Sequence, residues 1–271
     1  MMMIEDEEID LLLSDIFEVY GYDFANYSKA SLKRRIIRLV VLDKFPSFAE
    51  LRYRVCTDED YLKRFIEEIT VNVTEMFRDP SFYKMLRSQI VPILGTKPFI
   101  RIWHAGCSTG EEVFSMAILL QEANLLKKSL LYATDLNPSV LEKVRRGIFP
   151  LNQMKQYSEN YIASGGTKDF STYYTANYGQ AKLNEDLSEK IIISTHNLVS
   201  DSSFNEFDLI LCRNVLIYFD KNLQERALKL FDDSLGPLGF LALGSKETLK
   251  FSSIQARFKQ LDKEKIWKKL I

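Results

Sequence analysis

Residues 101–116 read RIWHAGCSTGEEVFSM: a short apolar run, a small-residue turn closed by Gly110, two carboxylates, and the start of a helix. Ile100, Ile102 and Trp103 supply a strand, and the turn from Ala105 to Gly110 lets the backbone approach a ligand closely. The helix that follows aims its free N–H groups at the same place. A phosphate-binding loop would avoid carboxylates there, so Glu111 and Glu112 suit a ligand carrying positive charge, such as a sulfonium or an amine.

Outward from this stretch, strands alternate with helices. FIRIW (99–103), SLLYATD (129–135), KIIISTHNL (190–198), FDLILCRNV (207–215) and GFLALGS (239–245) read as strands, and the tail IWKKLI adds a further one. Helices are predicted after Pro138, ending at Gly147, and from Lys221 to Leu235. Such alternation predicts an α/β fold with a parallel sheet covered on both faces, with ligands bound beyond the carboxyl ends of its strands. Gly110, Asp135, Asn197, Arg213 and Ser245 all fall at or just after such ends. Residues 158–190, with Gly165-Gly166 and Tyr173, Tyr174 and Tyr178, interrupt the pattern and predict an inserted excursion that is partly a small β-element.

The N-terminal part differs. Residues 1–70 show apolar positions at helical spacing and a single glycine, Gly21, which predicts a bundle of about four helices. The expected organisation is a helical domain over 1–75, a linker helix over 76–98 capped by Asp79-Pro80, and an α/β domain over 99–271. The stretch KASLKRRIIRLV carries Lys29, Lys33, Arg34, Arg35 and Arg38 on one face, within a block of ten bases and fifteen acids overall. That face is either simply solvated or a docking surface for an acidic protein.

Composition excludes several classes. With 36 Lys+Arg against 37 Asp+Glu and a net charge of −1, no global basic field argues for nucleic acid. Three scattered cysteines show neither metal spacing nor a disulfide framework, as expected in a reducing compartment. The acidic N-terminus does not read as a signal peptide. No uncharged apolar run reaches the ~18–20 residues that span a bilayer. These features predict a soluble cytoplasmic chain without membrane insertion.

Asp135 ends the second strand 25 residues beyond Gly110, roughly where nucleoside-binding folds place an acid for ribose hydroxyls. A nicotinamide enzyme would carry GxGxxG in the turn; AGCSTGEE lacks it and favours S-adenosylmethionine. In VNVTEMFRDP, Asn72 and Thr74 offer short hydrogen-bonding groups and Arg78 a fixed cation suited to an anionic substrate. In CRNVLIYFD, Arg213 and Asn214 are costly at a strand end unless they bond something, and Tyr218 can aim its hydroxyl at a substrate. Asn-Val-Leu-Ile is not the Asn-Pro-Pro-aromatic motif of base methylases, which again argues against nucleic acid. His104 and His196 read as core or hydrogen-bonding residues rather than metal ligands, and Cys107 and Cys212 as small packing residues.

Taken in order, NVTEMFRDP, WHAGCSTGEEVFS, ATDLNPSVLEKVRRGIF, HNL, FDLILCRNVLIYFD and LGSKETL resemble the CheR-type chemotaxis receptor methyltransferases, from about residue 10 to the C-terminus. The resemblance implies a helical N-terminal domain joined to a Rossmann-like class I methyltransferase sheet with a short inserted β-subdomain. It implies methyl transfer from S-adenosylmethionine, with S-adenosylhomocysteine as product, to glutamates on the cytoplasmic helical bundle of a chemoreceptor. The cofactor would be held by Asn72, Thr74, Arg78, Glu112, Asp135, Asn197, Leu198, Cys212, Arg213 and Asn214, and no metal is implied. Arg78 and Tyr218 would sit at the reacting carboxylate, and Lys33, Arg34, Arg35 and Arg38 would meet the receptor, with the enzyme a monomer. Two departures stand out: Met76 replaces a phenylalanine, and LGSKETL places Lys246 in an unusual context. A methyltransferase of another carboxylate and a non-catalytic cofactor-binding signalling module remain as alternatives.

Overall fold

A computed structural model of the chain describes residues 4–24, 27–70 and 74–270. The first block forms α1 (Asp6–Tyr20), α2 (Lys29–Leu42), α3 (Phe48–Thr57) and α4 (Glu59–Ile69). Their ends follow local chemistry. The left-handed Gly21 stops α1, the Ser47 side chain accepts the Glu50 N–H at the start of α3, and Asp58 accepts the Asp60 and Tyr61 N–H groups ahead of α4. Leu12, Ile16, Ile36, Leu39, Leu51, Val55 and Phe65 are fully buried in the bundle. Among the described residues no helix is long and apolar enough to cross a membrane.

The predicted linker is α5 (Pro80–Met85), a π-type turn over Leu86–Ile90, and α6 (Val91–Gly95). It packs as part of the second domain: Met76, Phe77, Phe82, Tyr83 and Leu86 share one core with the sheet. Asp79 occupies the N-cap position of α5 with Pro80 following it, as the sequence predicts. It has φ 58° and makes no side-chain cap, because its carboxylate lies 2.6 Å from Arg213.

The second domain runs β1 (Ile100–Ala105), α7 (Glu111–Glu122), β2 (Ser129–Asp135), α8 (Pro138–Arg146), β3 (Ile148–Pro150), α9 (Met154–Ala163), β4 (Tyr174–Asn177), β5 (Gln180–Leu183), α10 (Glu185–Ser188), β6 (Ile191–Thr195), β7 (Phe207–Cys212), α11 (Lys221–Ser234), β8 (Leu235–Leu243), β9 (Phe258–Leu261) and β10 (Ile266–Lys269). The main sheet has the order β6-β2-β1-β7-β8-β10-β9. Its first five strands are parallel, whereas β10 pairs antiparallel with β8, and β9 antiparallel with β10 at the edge. β9 escapes sequence reading because Lys259 and Gln260 leave it only short apolar contact, as suits an edge strand. Chain order reverses between β2 and β7 on either side of β1, so a crevice opens beyond the carboxyl end of β1.

The excursion begins earlier than residue 158. β3 pairs with β5, Ile148 opposite Lys182, and with β4 completes a three-stranded sheet. A three-residue strand carries too little pattern to be read from sequence. Its tyrosines serve mainly as anchors: the Tyr161 and Tyr173 hydroxyls both meet Glu122 of α7. Tyr178, at the β4–β5 turn, is 97% exposed.

Candidate active site

The turn after β1 bends back on itself through Gly106 (φ 77°) and Ser108 (φ 50°). A Cβ on Gly106 would come within 2.6 Å of the Val215 side chain, so the glycine lets this turn meet the turn after β7. Asp135, at the end of β2, accepts the Ser108 N–H at 2.9 Å and the Asn137 N–H at 3.0 Å. Burial pushes its carboxyl above the ordinary value, and the backbone N–H groups of Asn137, Ser108 and Leu136 offset only part of that.

Glu112 stands in the first turn of α7. Oε1 accepts from His104 Nδ1 at 2.9 Å, and Oε2 from Arg213 at 3.3 Å. Burial alone would raise this carboxyl; the hydrogen bond and charge at His104, with the Arg213 guanidinium, outweigh it and hold the group below the usual range. Arg213 is itself nearly buried between Glu112 and Asp79, and its guanidinium sits 4.0 Å over the Phe82 ring. It therefore ties the ends of β1 and β7 to the segment carrying Arg78, whose carbonyl it also meets at 3.3 Å.

Glu111 turns the other way. It bonds Thr109 at 2.5 Å and Tyr157 of the insert at 3.3 Å, and burial raises its carboxyl. Of the acidic pair, only Glu112 faces the crevice.

Sequence reading missed Glu247, which is 5% exposed. Its carboxylate accepts the N–H groups of Asn214 at 3.1 Å, Val215 at 3.0 Å and Ile217 at 3.3 Å, and also that of Gly244. One side chain thus satisfies the turn that carries Asn214 (φ 62°) and leads to Tyr218. The available signal was an acid just past the carboxyl end of an apolar strand, in LGSKETL; Lys246 beside it is exposed.

The crevice encloses about 1140 Å³ of empty space, its open mouth included, and gathers most of the predicted residues. Thr74, Arg78, Glu112, Asp135, Asn197, Leu198, Arg213, Asn214 and Tyr218 all line it. Asn72 lies outside the described residues. Cys212 does not line it: the side chain of this last β7 residue points into the core with Trp103 and Phe231, fully buried. Burial raises the Tyr218 hydroxyl, while the charges of Arg35, Arg78 and Arg34 pull it back.

The α2 bases are partly engaged already. Lys33 pairs with Asp6 at 2.6 Å, Arg38 with Glu68 at 3.3 Å, and Arg35 donates to the Glu68 carbonyl at 3.1 Å.

These residues fit S-adenosylmethionine. Glu112 and Asp135 are acceptors for an ammonium and for ribose hydroxyls. Ser108 Oγ and His196 Nδ1, on residues lining the crevice, are buried with no hydrogen-bond partner among the described residues. Native folds leave few such atoms, so a polar ligand is the natural partner.

Comparison with known proteins agrees. Residues 7–70 match the family model described as the CheR methyltransferase all-alpha domain, and 72–266 the one described as the CheR methyltransferase SAM binding domain. The chain is 47% identical to "Putative methyltransferase Cher3" of Pseudomonas putida over 97% of both proteins. It is 32% identical to a chemotaxis protein methyltransferase of Listeria innocua, covering 91% of this chain and 93% of that one. A chemotaxis protein methyltransferase of Salmonella typhimurium is 28% identical over 95% of this chain and 88% of its own length. With both domains matched in order and a fold and crevice that fit the cofactor, this chain belongs to the CheR methyltransferase family, an all-helical domain followed by an S-adenosylmethionine-binding methyltransferase domain.

Proposed function

We propose that this chain methylates glutamate side chains on the cytoplasmic helical bundle of chemoreceptors, giving glutamate methyl esters and S-adenosylhomocysteine. The observation that carries this reading is the charge lining the crevice: the buried carboxylates Glu112 and Asp135 in one part, and Arg78 beside the partly exposed Tyr218 in another, with Arg34 and Arg35 of α2 nearby. A cationic cofactor belongs with the carboxylates, and an anionic substrate with the arginines.

S-adenosylmethionine supplies an electrophilic methyl group on a departing sulfide. A glutamate carboxylate, with a reference pKa near ~4.3, is already ionised at neutral pH. No general base is required, and the protein's work is alignment and exclusion of water, worth several kcal/mol. Arg78 and Tyr218 orient the carboxylate. Glu112 holds the amino-acid end of the cofactor, Asp135 the ribose, and Asn197 and Leu198 border the adenine. Lys33, Arg34, Arg35 and Arg38 of α2 dock the acidic receptor surface; the exposed pair of Lys33 with Asp6 exchanges at little cost.

The test is to mix the protein with methyl-labelled S-adenosylmethionine and receptor signalling-domain fragments, then measure alkali-labile label. Base-labile label on the receptor is expected. Cofactor binding without transfer to any receptor fragment overturns the substrate assignment.

Asp135 gives a pH signature. Its ionised form accepts the ribose hydroxyls, so affinity for S-adenosylhomocysteine is full above its raised pKa, falls as pH drops through it, and levels off at the affinity of the protonated form. Glu112 is held low instead, so its carboxyl shifts in the opposite direction. Asp135→Asn should weaken binding about tenfold or more at neutral pH and flatten the profile, which separates Asp135 from Glu247, also raised by burial. Titration calorimetry over the pH range in which the protein stays folded reads both effects; an unchanged profile in the variant would remove Asp135 from the cofactor site.

A further inference from the structure

The crevice is not built by the methyltransferase domain alone. Tyr27, Ser28, Ser31 and Leu32, from the helical domain, line it together with Asp135, Leu136 and Leu198. Tyr27 makes an isolated antiparallel bridge with Phe219, and the Ser28 N–H donates to the Tyr218 carbonyl at 2.8 Å. The helical domain is thus hydrogen-bonded onto the turn that presents Tyr218. The Tyr27 ring is held edge-on between Phe24, at 5.2 Å, and Phe219, at 5.0 Å, so its direction is set by packing on both sides.

We propose that Tyr27 is a cofactor-binding residue: with its ring locked against Phe219, it lines the crevice together with Asp135 and donates its hydroxyl hydrogen bond to the nucleoside half of the cofactor. Burial and the neighbouring Asp135 charge both raise the hydroxyl's pKa, so it remains a protonated donor throughout the working range. A donor there complements Asp135: the carboxylate can only accept, and the nucleoside offers ring and sugar oxygens or nitrogens that need a donor.

The cofactor pocket is then complete only when the helical domain sits on the sheet. Because α2, with its basic face, begins at Lys29, two residues after Tyr27, pocket closure and the position of that face are mechanically joined.

This inference rests on the crevice being the cofactor site, and the test separates the two. Calorimetric binding of S-adenosylhomocysteine and of 5′-methylthioadenosine, which lacks the amino-acid half, is measured for the wild type, Tyr27→Phe and Glu112→Gln. Tyr27→Phe keeps the ring, the bridge and the packing, and its melting temperature is expected to match the wild type. It should lose about three- to tenfold affinity for both ligands, the size of one hydrogen bond. Glu112→Gln should weaken S-adenosylhomocysteine far more than methylthioadenosine. Unchanged affinities in a folded Tyr27→Phe overturn the role of Tyr27 while leaving the cofactor site intact. A loss confined to S-adenosylhomocysteine also overturns it, since the contact would then lie on the amino-acid half. Failure of the wild type to bind either ligand overturns both readings together.

Discussion

Arg78→Ala is expected to lower receptor methylation by about 100- to 1000-fold, the usual effect of removing one oriented charge donor from a reacting centre. The substitution removes a side chain and leaves its scaffold. The backbone at 77–79 is pinned by the Arg213 contact to the Arg78 carbonyl and by the Asp79–Arg213 ion pair, and Phe77 and Asp79 keep their left-handed conformations, φ 53° and φ 58°, through buried packing and that pair. The melting temperature should therefore move little. Arg78→Lys restores a cation without the planar fork and should recover only part of the rate. Initial rates of methyl-ester formation, with S-adenosylhomocysteine binding alongside, check this. The loss should fall mainly on turnover, and near-wild-type rates in Arg78→Ala would remove the residue from the reaction.

Glu247→Ala should be the most destabilising single change near the site. It strips the buried acceptor from four backbone N–H groups, those of Gly244, Asn214, Val215 and Ile217. Each orphaned group costs about 1–3 kcal/mol where it stays dry. Partial relaxation leaves an expected loss on the order of 3–5 kcal/mol, or roughly 5–9 °C of melting temperature for a chain of this size. Glu247→Gln tests the chemistry rather than the volume: one amide oxygen still accepts, but the NH₂ faces donors, so it should fall between alanine and wild type. Because the same turn leads to Tyr218, both variants should also lose methyl transfer. A melting temperature within a degree or so of wild type in Glu247→Ala would show that the four N–H groups find other partners.

Much of this site was readable from local pattern. β1, β2 and β7 are largely apolar runs whose burial follows from their own residues, and α7 and α8 begin where Gly110 and Asn137-Pro138 stand. Asp135, Arg213 and Asn214 could be placed at strand ends, and a doubly wound sheet brings strand ends to one edge whatever else the chain does. The four N-terminal helices were legible for the same reason: apolar stripes at helical spacing and caps at their ends.

Direction and partnership were not legible. Glu111 and Glu112 are adjacent in sequence, yet a helix separates neighbours by about 100°, so one enters the crevice and the other grips Tyr157. Asp79 carries every local mark of a helix cap, but a buried guanidinium 134 residues away holds its carboxylate instead. Cys212 sits at the right place in the motif, and the strand's alternation turns its thiol into the core. The residue composition and spacing of this chain determined its two-domain α/β architecture, its sheet edge and the kind of ligand that edge takes, because those depend on periodicity and on short-range hydrogen bonding. Only the tertiary structure decided that Glu247 supports the turn leading to Tyr218 and that Tyr27 closes the crevice, because burying a charge or a ring is settled by which distant backbone groups and side chains come to surround it, and spacing along the chain does not carry that information.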